Sequence, residues 1–345
     1  MSCFTRSVWS DPSRLAWNSG RHLGLTGVAE HGVPPGIMIG MREDEPGPMH
    51  ELALPSSTDL ALISVAVLAV STSGPLIAAS AAPALALAFW RNGLAAAALL
   101  PVALSRNRPE LRRLSRREWR LTLAAGALLA AHFATWIPSI RYTTVASSTA
   151  LVASQPVWTA LLARMRGVVL ERSAWIGIVI AVLAAALLTG LDVRISGRAV
   201  FGDVLALVGG MLAAGYVTAG AAVRRTVSTT SYTTMCYSTT ALLLLVVCLV
   251  GRQSLSGYSG ADWLRIAGLT VGAQLLGHSV FNRVLRTTSA TVVSLAILFE
   301  VPGATIIAAI FVHQHVRLEQ LPAAALLLGG LALVIRSGTR SMPAE

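Results

Sequence analysis

From Leu60 to the end of the chain, long apolar stretches alternate with short polar ones. Each stretch has close to the ~20 residues that a helix needs to cross ~30 Å of hydrocarbon. The pattern therefore predicts an all-α integral membrane protein with ten transmembrane helices. The predicted spans are residues 60–81, 84–104, 121–140, 145–165, 174–191, 201–222, 232–250, 264–285, 288–312 and 321–336.

Residues 1–57 differ from the rest of the chain, because they carry glycine, proline, serine and charges of both signs and contain no long apolar run. They also lack the basic start, apolar core and small-residue cleavage site of a signal peptide. A segment of this composition cannot bury enough apolar surface to fold alone. We expect a disordered cytoplasmic tail.

The composition agrees with a chain whose main solvent is lipid. Hydrophobic residues make up 54% of the sequence and charged residues 12%, whereas soluble domains are about 25% charged. The net charge of +11 is carried by arginine alone. The arginines flank the apolar runs and do not form one patch with interleaved aromatic residues, so we predict the lipid bilayer as a partner and no nucleic acid.

The arginines also predict an orientation. With ten spans and both termini inside, the inner loops and the C-terminal end hold sixteen arginines from Leu60 onward, and the outer loops hold six. Arginine and lysine concentrate on the cytoplasmic side. We therefore predict a multi-pass protein of the cell inner membrane with both termini cytoplasmic. Seven of these arginines lie in one loop, SRNRPELRRLSRREWR, for which a patch that binds anionic lipids is an alternative explanation.

The spans form an internal repeat. An offset of 146 residues places His132 on His278 and also Pro156 on Pro302. The repeat divides the chain into a first half, residues 58–191, and a second half, residues 201–338, with five spans each. Because five is odd, the second half must insert upside down relative to the first. Inverted repeats of this kind are typical of secondary transporters, which bind substrate between the halves near the midplane.

The stretch GHSVFNRVLRTTSATVVSLAILFEVPGATIIAAIFVHQHV resembles the second-repeat signature of the EamA-type drug/metabolite transporter superfamily. That signature has a Gly-His pair, an asparagine four residues after the histidine, and a Glu-Pro pair in the next helix. The corresponding residues here are Gly277, His278, Asn282, Glu300 and Pro302. HFATWIPSIRYTTVASSTALVASQPVWTALL and AFWRNGLAAAALLP are similar to first-repeat stretches of the same family.

The resemblance covers about residues 58–338. It implies a carrier that exports a small metabolite, an amino acid or a drug-like compound. Because the family also includes importers and exchangers, the direction of transport stays open. One departure is that Val301 separates Glu300 from Pro302, which rotates the helix break by about 100° relative to the carboxylate.

Glu300 is the main candidate site residue, because it lies at the centre of the predicted span 288–312. A charge at that depth costs roughly 2.5–3.5 kcal/mol on insertion scales and usually marks the path of an ion or a substrate. Gln274, His278 and Asn282 follow one another at i, i+4 and i+8, so they share one face of the eighth predicted helix. This stripe either lines a substrate cavity or forms hydrogen bonds between helices.

Two candidates lie in the first half. His132 and Trp136 form a similar i, i+4 pair on the third predicted span, and the alternative for His132 is a hydrogen bond to a backbone carbonyl. Arg91 lies about seven residues inside the second span. It either binds a carboxylate or phosphate of the substrate, pairs with Glu300, or extends to the outer interface.

Further aromatic and proline residues complete the candidate site. Tyr216 and Tyr237, like Trp136, can stack on a flat substrate, with core packing as the alternative. Prolines inside spans remove a backbone donor and free a carbonyl, and so allow a helix to bend. We predict hinges at Pro75, Pro156 and Pro302.

The sequence has no nucleotide-binding motif, and we predict no cofactor, no metal and no enzymatic activity. Energy would then come from an ion gradient, with protons as the candidate ion, or from exchange, because histidine and a buried glutamate can titrate near neutral pH. The rival class is a polytopic membrane enzyme acting on a lipid or peptide, since Gly257-Tyr258-Ser259-Gly260 matches a short serine-nucleophile pattern. Monomer and homodimer both stay open.

Overall fold

A computed structural model describes residues 56–193, 196–224, 226–284, 296–315 and 317–337. Nearly all of the tail predicted for residues 1–57 lies outside these ranges. Every regular element within them is helical. The α-helices are α1 Ser57–Ser71, α2 Ser73–Ala79, α3 Ala84–Arg106, α4 Arg108–Arg113, α5 Arg116–Ser139, α6 Val145–Val152, α7 Gln155–Met165, α8 Arg172–Val193, α9 Gly197–Val223, α10 Thr229–Val250, α11 Gly260–Gly268, α12 Ser279–Val284, α13 Glu300–Phe311 and α14 Leu321–Ser337.

Six helical segments are long and apolar enough to cross a membrane, which confirms the all-helical, multi-pass character of the fold. Two shorter apolar helices lie at Arg172–Leu188 and in α13. The six segments are Ser57–Ala79, Ala84–Arg106, Arg116–Ser139, Gly197–Val223, Thr229–Val250 and Leu318–Ser337.

Large apolar side chains cover the outside of these helices. More than half of the surface of Leu68, Leu183, Leu242, Leu249 and Phe311 is exposed. A soluble protein rarely exposes extended apolar patches, whereas hydrocarbon solvates such side chains at no cost. The exposed surface therefore fits a protein surrounded by lipid.

Two of the predicted spans are interrupted. The run 60–81 divides at Thr72 into α1 and α2, and the run 145–165 divides at Ala153 and Ser154 into α6 and α7. In both, a proline lies within the first three residues of the second piece. Proline has no N–H to donate to the preceding turn. At the first break the hydroxyl of Thr72 donates to the carbonyl of Ala69 at 2.7 Å, which satisfies one backbone acceptor there.

The eighth predicted span is not a uniform α-helix. It begins as α11, continues as a π-helix from Leu269 to His278, and ends as α12. The N–H of Ser279 bonds to the carbonyl of Gln274, five residues earlier. The prediction of an α-helical stripe through Gln274 and His278 therefore needs correction, because i→i+5 bonding widens each turn. Segments of π-helix are rare and occur frequently at functional sites.

The strongest packing joins elements of the two halves. Helix α5 packs on both α9 and α10, α8 on α14, α3 on α10, and α1 on the π-helix, and α6 also contacts α13. Small residues allow close approach: a Cβ on Gly177 of α8 would come within 2.6 Å of the carbonyl oxygen of Gly330 of α14. Helix packing in lipid depends on such small residues. Residues from both halves consequently meet in the interior.

Candidate functional site

Arg91 is the centre of a polar cluster in the interior. It lies on α3 and is 0% exposed. Its Nε donates to Oε1 of Gln274 at 2.6 Å, and its Nη1 donates to Oγ of Ser73 at 3.1 Å. Its Cζ lies 4.5 Å from the ring centroid of Phe133, a cation–π contact. Its Nη2 has no hydrogen-bond partner among the described residues.

The charge of Arg91 has no close counterion in the described part of the chain. The two ion pairs found there join Arg265 to Asp262 and Arg317 to Glu319. Glu300 interacts electrostatically with Arg91 without forming an ion pair. Burying a cation without a counterion costs several kcal/mol, and an anion that reaches the cation offsets part of that cost. The interior position also differs from the alternative in which Arg91 extends to the interface.

His132 is held by the backbone of the other half. Its Nδ1 lies 2.9 Å from the carbonyl oxygen of Gly209 on α9, so this nitrogen carries the proton and donates it. The ring stacks on Trp136 with centroids 5.7 Å apart and planes at 14°. The Nε1 of Trp136 is buried without a partner in the described residues. The hydrogen bond is the one named as the alternative to a substrate role for His132.

His278 occupies the end of the π-helix and is half-buried. Within the described residues no hydrogen bond reaches its ring, although it interacts electrostatically with Arg91 and His132. Four residues earlier, Gln274 is 1% exposed and accepts the hydrogen bond from Arg91. The π-helix therefore presents one engaged and one free polar side chain to the cluster. The side chain of Asn282 is outside the described part of the chain.

Glu300 opens α13, where an acidic residue in the first turn favours the helix dipole. Val301, which separates it from Pro302, is 4% exposed and belongs to an apolar cluster with Leu327 and Leu331. The extra residue thus faces the core. Because Val301 occupies the apolar side, the half-buried Glu300 is left on the side that interacts with Arg91.

The two candidate tyrosines differ in whether they interact with Arg91. Tyr237 on α10 is 1% exposed and interacts electrostatically with Arg91. Its hydroxyl lies beside the side chains of Gln274 and Ser279 without a hydrogen bond of ordinary geometry in the described structure. Tyr216 on α9 is half-buried against the same apolar core and lies beside Tyr232. Tyr237 therefore joins the cluster, and Tyr216 lies beside it.

The three predicted hinge prolines occupy equivalent local positions. Pro75, Pro156 and Pro302 each lie in the first turn of a helix that follows a break. The breaks are at Thr72, at Ala153 and Ser154, and before Glu300. The break at Thr72 meets α13 directly, since a Cβ on Gly303 would clash with the side chain of Ser71. Breaks of both halves thus pack against each other.

Sequence reasoning missed two members of the cluster. Ser73 and Phe133 contact the guanidinium directly. Ser73 lies in the Ser-Thr-Ser-Gly run before Pro75, and Phe133 follows His132. No periodicity distinguishes a phenylalanine that stacks on a cation from one that packs in a core. The residues brought together by the fold are Ser73, Arg91, His132, Phe133, Trp136, Tyr237, Gln274, His278 and Glu300.

The serine of the Gly-Tyr-Ser-Gly motif, Ser259, has a structural role as a helix cap. The Oγ of Ser259 accepts from the N–H of Asp262 at 3.1 Å and donates to its carboxylate at 2.8 Å, which caps α11. A nucleophilic serine needs an adjacent base to activate it. The capping bonds give no support to the serine-enzyme alternative.

Comparison with protein families gives the EamA-like transporter family, whose model matches residues 58–190 and again residues 200–336. None of the curated proteins matches the chain. A solved structure described only as "Crystal structure of protein" is similar, with a TM-score of 0.59 and 17% identity over 83% of this chain and 99% of that one. At that identity the likeness concerns the fold alone.

Proposed function

The chain belongs to the EamA-like transporter family, and we propose that it is a secondary-active carrier that exports a small metabolite, amino acid or drug-like compound across the cell inner membrane. The proposed architecture has ten spans in two inverted five-helix halves with both termini cytoplasmic. The six long apolar segments and the double family match support it. The four remaining proposed spans contain α6 with α7, α8, α11 through α12, and α13.

The packing between the halves supports a two-fold relation. Suppose that each span of the first half is exchanged with the corresponding span of the second, the first with the sixth, the second with the seventh, and so on. The α5–α9 contact, between the third and sixth spans, then becomes the contact of α1 with the π-helix, between the first and eighth. The same exchange turns the contacts of α3 with α10, of α6 with α13 and of α8 with α14 into themselves. A two-fold axis that runs in the membrane plane produces such pairs and leaves the substrate site on the axis.

One observation carries the proposal of a substrate site. Arg91 is fully buried, lacks an ion pair and keeps Nη2 free of partners within the described residues. A charged residue inside the membrane usually contacts a substrate, an ion path or an opposite charge. We assign Arg91 and Glu300 as the charged pair of the site. His132, Trp136, Tyr216, Tyr237, Gln274, His278 and Asn282 are proposed to surround the substrate.

Alternating access requires that the halves rock about this site. A helix bends most easily where its backbone hydrogen-bond ladder is already interrupted or altered. These points are the breaks before Pro75, Pro156 and Pro302, together with the π-helix. Proton coupling through Glu300 is the proposed energy source. A proton bound to Glu300 would weaken its attraction for Arg91 and so leave Arg91 available to the substrate.

The test compares the medium of cells that express the wild type with that of cells expressing Glu300→Gln, by untargeted mass spectrometry at matched protein levels. Glu319→Gln is the matched control, because Glu319 is an exposed carboxylate with a side chain 64% accessible. We expect a small set of compounds to accumulate outside with the wild type and with Glu319→Gln only. Media that match an empty-vector control in all cases would contradict export.

A further inference from the structure

Helix α5, which contains most of the third predicted span, begins with a capping box. The Oγ of Ser115 accepts from the N–H of Glu118 at 3.2 Å, and the carboxylate of Glu118 accepts from the N–H of Ser115 at 2.8 Å. A capping box satisfies two free N–H groups at the start of a helix. The sequence signal is serine followed three residues later by an acid, here SRRE.

Helix α11, which leads into the eighth predicted span, begins with a related cap. The Oγ of Ser259 accepts from the N–H of Asp262 at 3.1 Å and donates to its carboxylate. Ser259 and Asp262 each lie 144 residues after Ser115 and Glu118, and a tryptophan follows the acid in both segments. The two caps therefore occupy corresponding places in the two halves.

Each capping acid also binds the opposite half. The Oγ1 of Thr226, in the turn between α9 and α10, donates to Oε1 of Glu118 at 2.5 Å. The Oγ of Ser80, in the turn between α2 and α3, donates to Oδ1 of Asp262 at 2.8 Å. Thr226 lies 146 residues after Ser80. The two contacts are therefore the same interaction made once by each half.

These contacts lie at opposite ends of the molecule. Ser80 lies just before α3, whereas Glu118 lies just after the loop that follows α3. Helix α3 has 23 residues, and at 1.5 Å per residue it is about 34 Å long, enough to cross the hydrocarbon. One acid thus ties the halves together on one face, and the other ties them on the opposite face.

A second carboxylate reinforces the contact on the arginine-rich face. Glu110 of α4 accepts from the N–H of Ser228 at 2.6 Å, from Oγ of Ser228 at 2.6 Å and from Oγ of Ser231 at 2.5 Å. Partial burial opposes its ionisation, but these hydrogen bonds and one from Asn107 outweigh that effect and lower the pKa of Glu110 to about 2. Hydrogen bonds to a charged acceptor are about twice as strong as neutral ones.

We propose that the caps at Glu118 and Asp262 are a pair of latches that close the two faces of the carrier, so that opening one face breaks Glu118–Thr226 and opening the other breaks Asp262–Ser80. This inference rests on the proposed function in that it assumes alternating access. Both latches are formed in this structure, and Arg91 in the interior is 0% exposed. The caps themselves stay intact when a latch opens, because they lie within one half.

Amide exchange can test the latches directly. The N–H of Ala81 donates to Asp262 at 2.9 Å and that of Ser228 donates to Glu110, so peptides covering 80–83 and 226–231 report on the two faces. Hydrogen–deuterium exchange is measured by mass spectrometry on the full chain in lipid nanodiscs. Thr226→Val and Ser80→Ala each remove one hydroxyl that reaches across the halves.

We expect Thr226→Val to speed exchange in 226–231 roughly tenfold, the effect of losing one hydrogen bond to a charged group, and to slow exchange in 80–83. Ser80→Ala should do the reverse. Ser115→Ala and Ser259→Ala are the matched controls, because they weaken a cap and keep the latch. They should speed exchange in the first turn of their own helix without changing the opposite face.

Exchange that rises at both faces in either latch variant would overturn the proposal, as would unchanged exchange at both. A change in exchange at the opposite face in Ser115→Ala or Ser259→Ala would show that the effect comes from local helix stability and not from the latch. The outcome is independent of transport. Reciprocal changes in exchange without any exported compound would contradict the proposed export and support the latches. Export without reciprocal changes in exchange would contradict the latches alone.

Discussion

The two halves place different side chains at corresponding positions of the central cluster. At the offset of 146 residues, Arg91 of the first half corresponds to Tyr237 of the second, and Glu300 of the second corresponds to Ser154 of the first. Each half therefore contributes one charge where the other has a neutral side chain. The fold is nearly two-fold in its packing, but its electrostatics are not. The proposed site is therefore asymmetric, although corresponding helices of the two halves make corresponding contacts.

The corresponding histidines differ in the same way. His132 donates to the carbonyl of Gly209 and stacks on Trp136, whereas no hydrogen bond to His278 occurs within the described residues. His132 lies on an ordinary α-helix and His278 at the end of a π-helix. The first half thus fixes its imidazole by a hydrogen bond and a stacking contact, and the second half does neither within the described residues.

The largest effect is expected at Arg91. Arg91→Leu removes the only cation that the described structure places in the cluster, and we expect substrate affinity to fall about 30-fold or more, as for loss of one partner of a buried charge pair. Arg91→Lys keeps the charge but loses the two-sided contact with Gln274 and Ser73, so its effect should be intermediate. Binding to the purified protein in nanodiscs measures both.

Arg106→Leu is the control for that experiment, because Arg106 is an exposed residue at the end of the same helix. It should bind substrate like the wild type. Equal affinity of Arg91→Leu and Arg106→Leu for the exported compound would show that Arg91 has a structural role. The charge difference between Arg91 and Tyr237 would then have no part in substrate binding.

The second effect concerns Glu300. In Glu300→Gln the carboxylate of the second half becomes neutral, like Ser154 in the first half. We expect transport in proteoliposomes to fall about tenfold and to lose its response to a pH gradient, because the group proposed to carry the proton is gone. Transport by the wild type that ignores both a pH gradient and a protonophore would exclude proton coupling.

Much of this arrangement could be predicted from sequence, for reasons that differ by level. Span length, arginine placement and the offset of His132 and His278 depend on the bilayer and on the repeat, and both leave long-range signals. The breaks at the three hinge prolines follow from the missing N–H. These features concern the backbone: the structure confirms an all-helical, multi-pass fold, and it shows helix breaks just before Pro75, Pro156 and Pro302.

Contacts between side chains were harder to predict from the sequence. The i, i+4 spacing of Gln274 and His278 suggested one α-helical face, but residues Leu269–His278 form a π-helix that packs against α1 and α3, and periodicity shows neither feature. Nothing in the sequence distinguishes an interior Arg91 from one that extends to the interface. The capping box at Ser115 and the related cap at Ser259 were missed, although serine followed three residues later by an acid is a readable pattern.

The third prediction separates the two histidines. His132→Ala should lower thermal stability by about 1–3 kcal/mol, because the buried Gly209 carbonyl loses its donor and Trp136 its stacking partner. His278→Ala has no hydrogen bond to lose in the described structure and should alter transport more than stability. Thermal unfolding followed by tryptophan fluorescence and proteoliposome transport form the two measurements. Equal unfolding midpoints for the two variants would contradict the distinction.

The smallest effect belongs to Glu110, which strengthens the latch on one face only, since the second half has Ser254, Leu255 and Ser256 in the corresponding region. Its pKa is lowered to about 2, so its stabilisation is present above the unfolded pKa of about 4.3 and disappears as the pH falls through 2. Because the group is largely solvated, we expect Glu110→Gln to cost less than about 1 kcal/mol near pH 7. In unfolding experiments from pH 7 to pH 2, the gap between wild type and variant should stay constant to about pH 4.5 and then close. A gap that widens toward low pH would mean that Glu110 stabilises the fold in its neutral form.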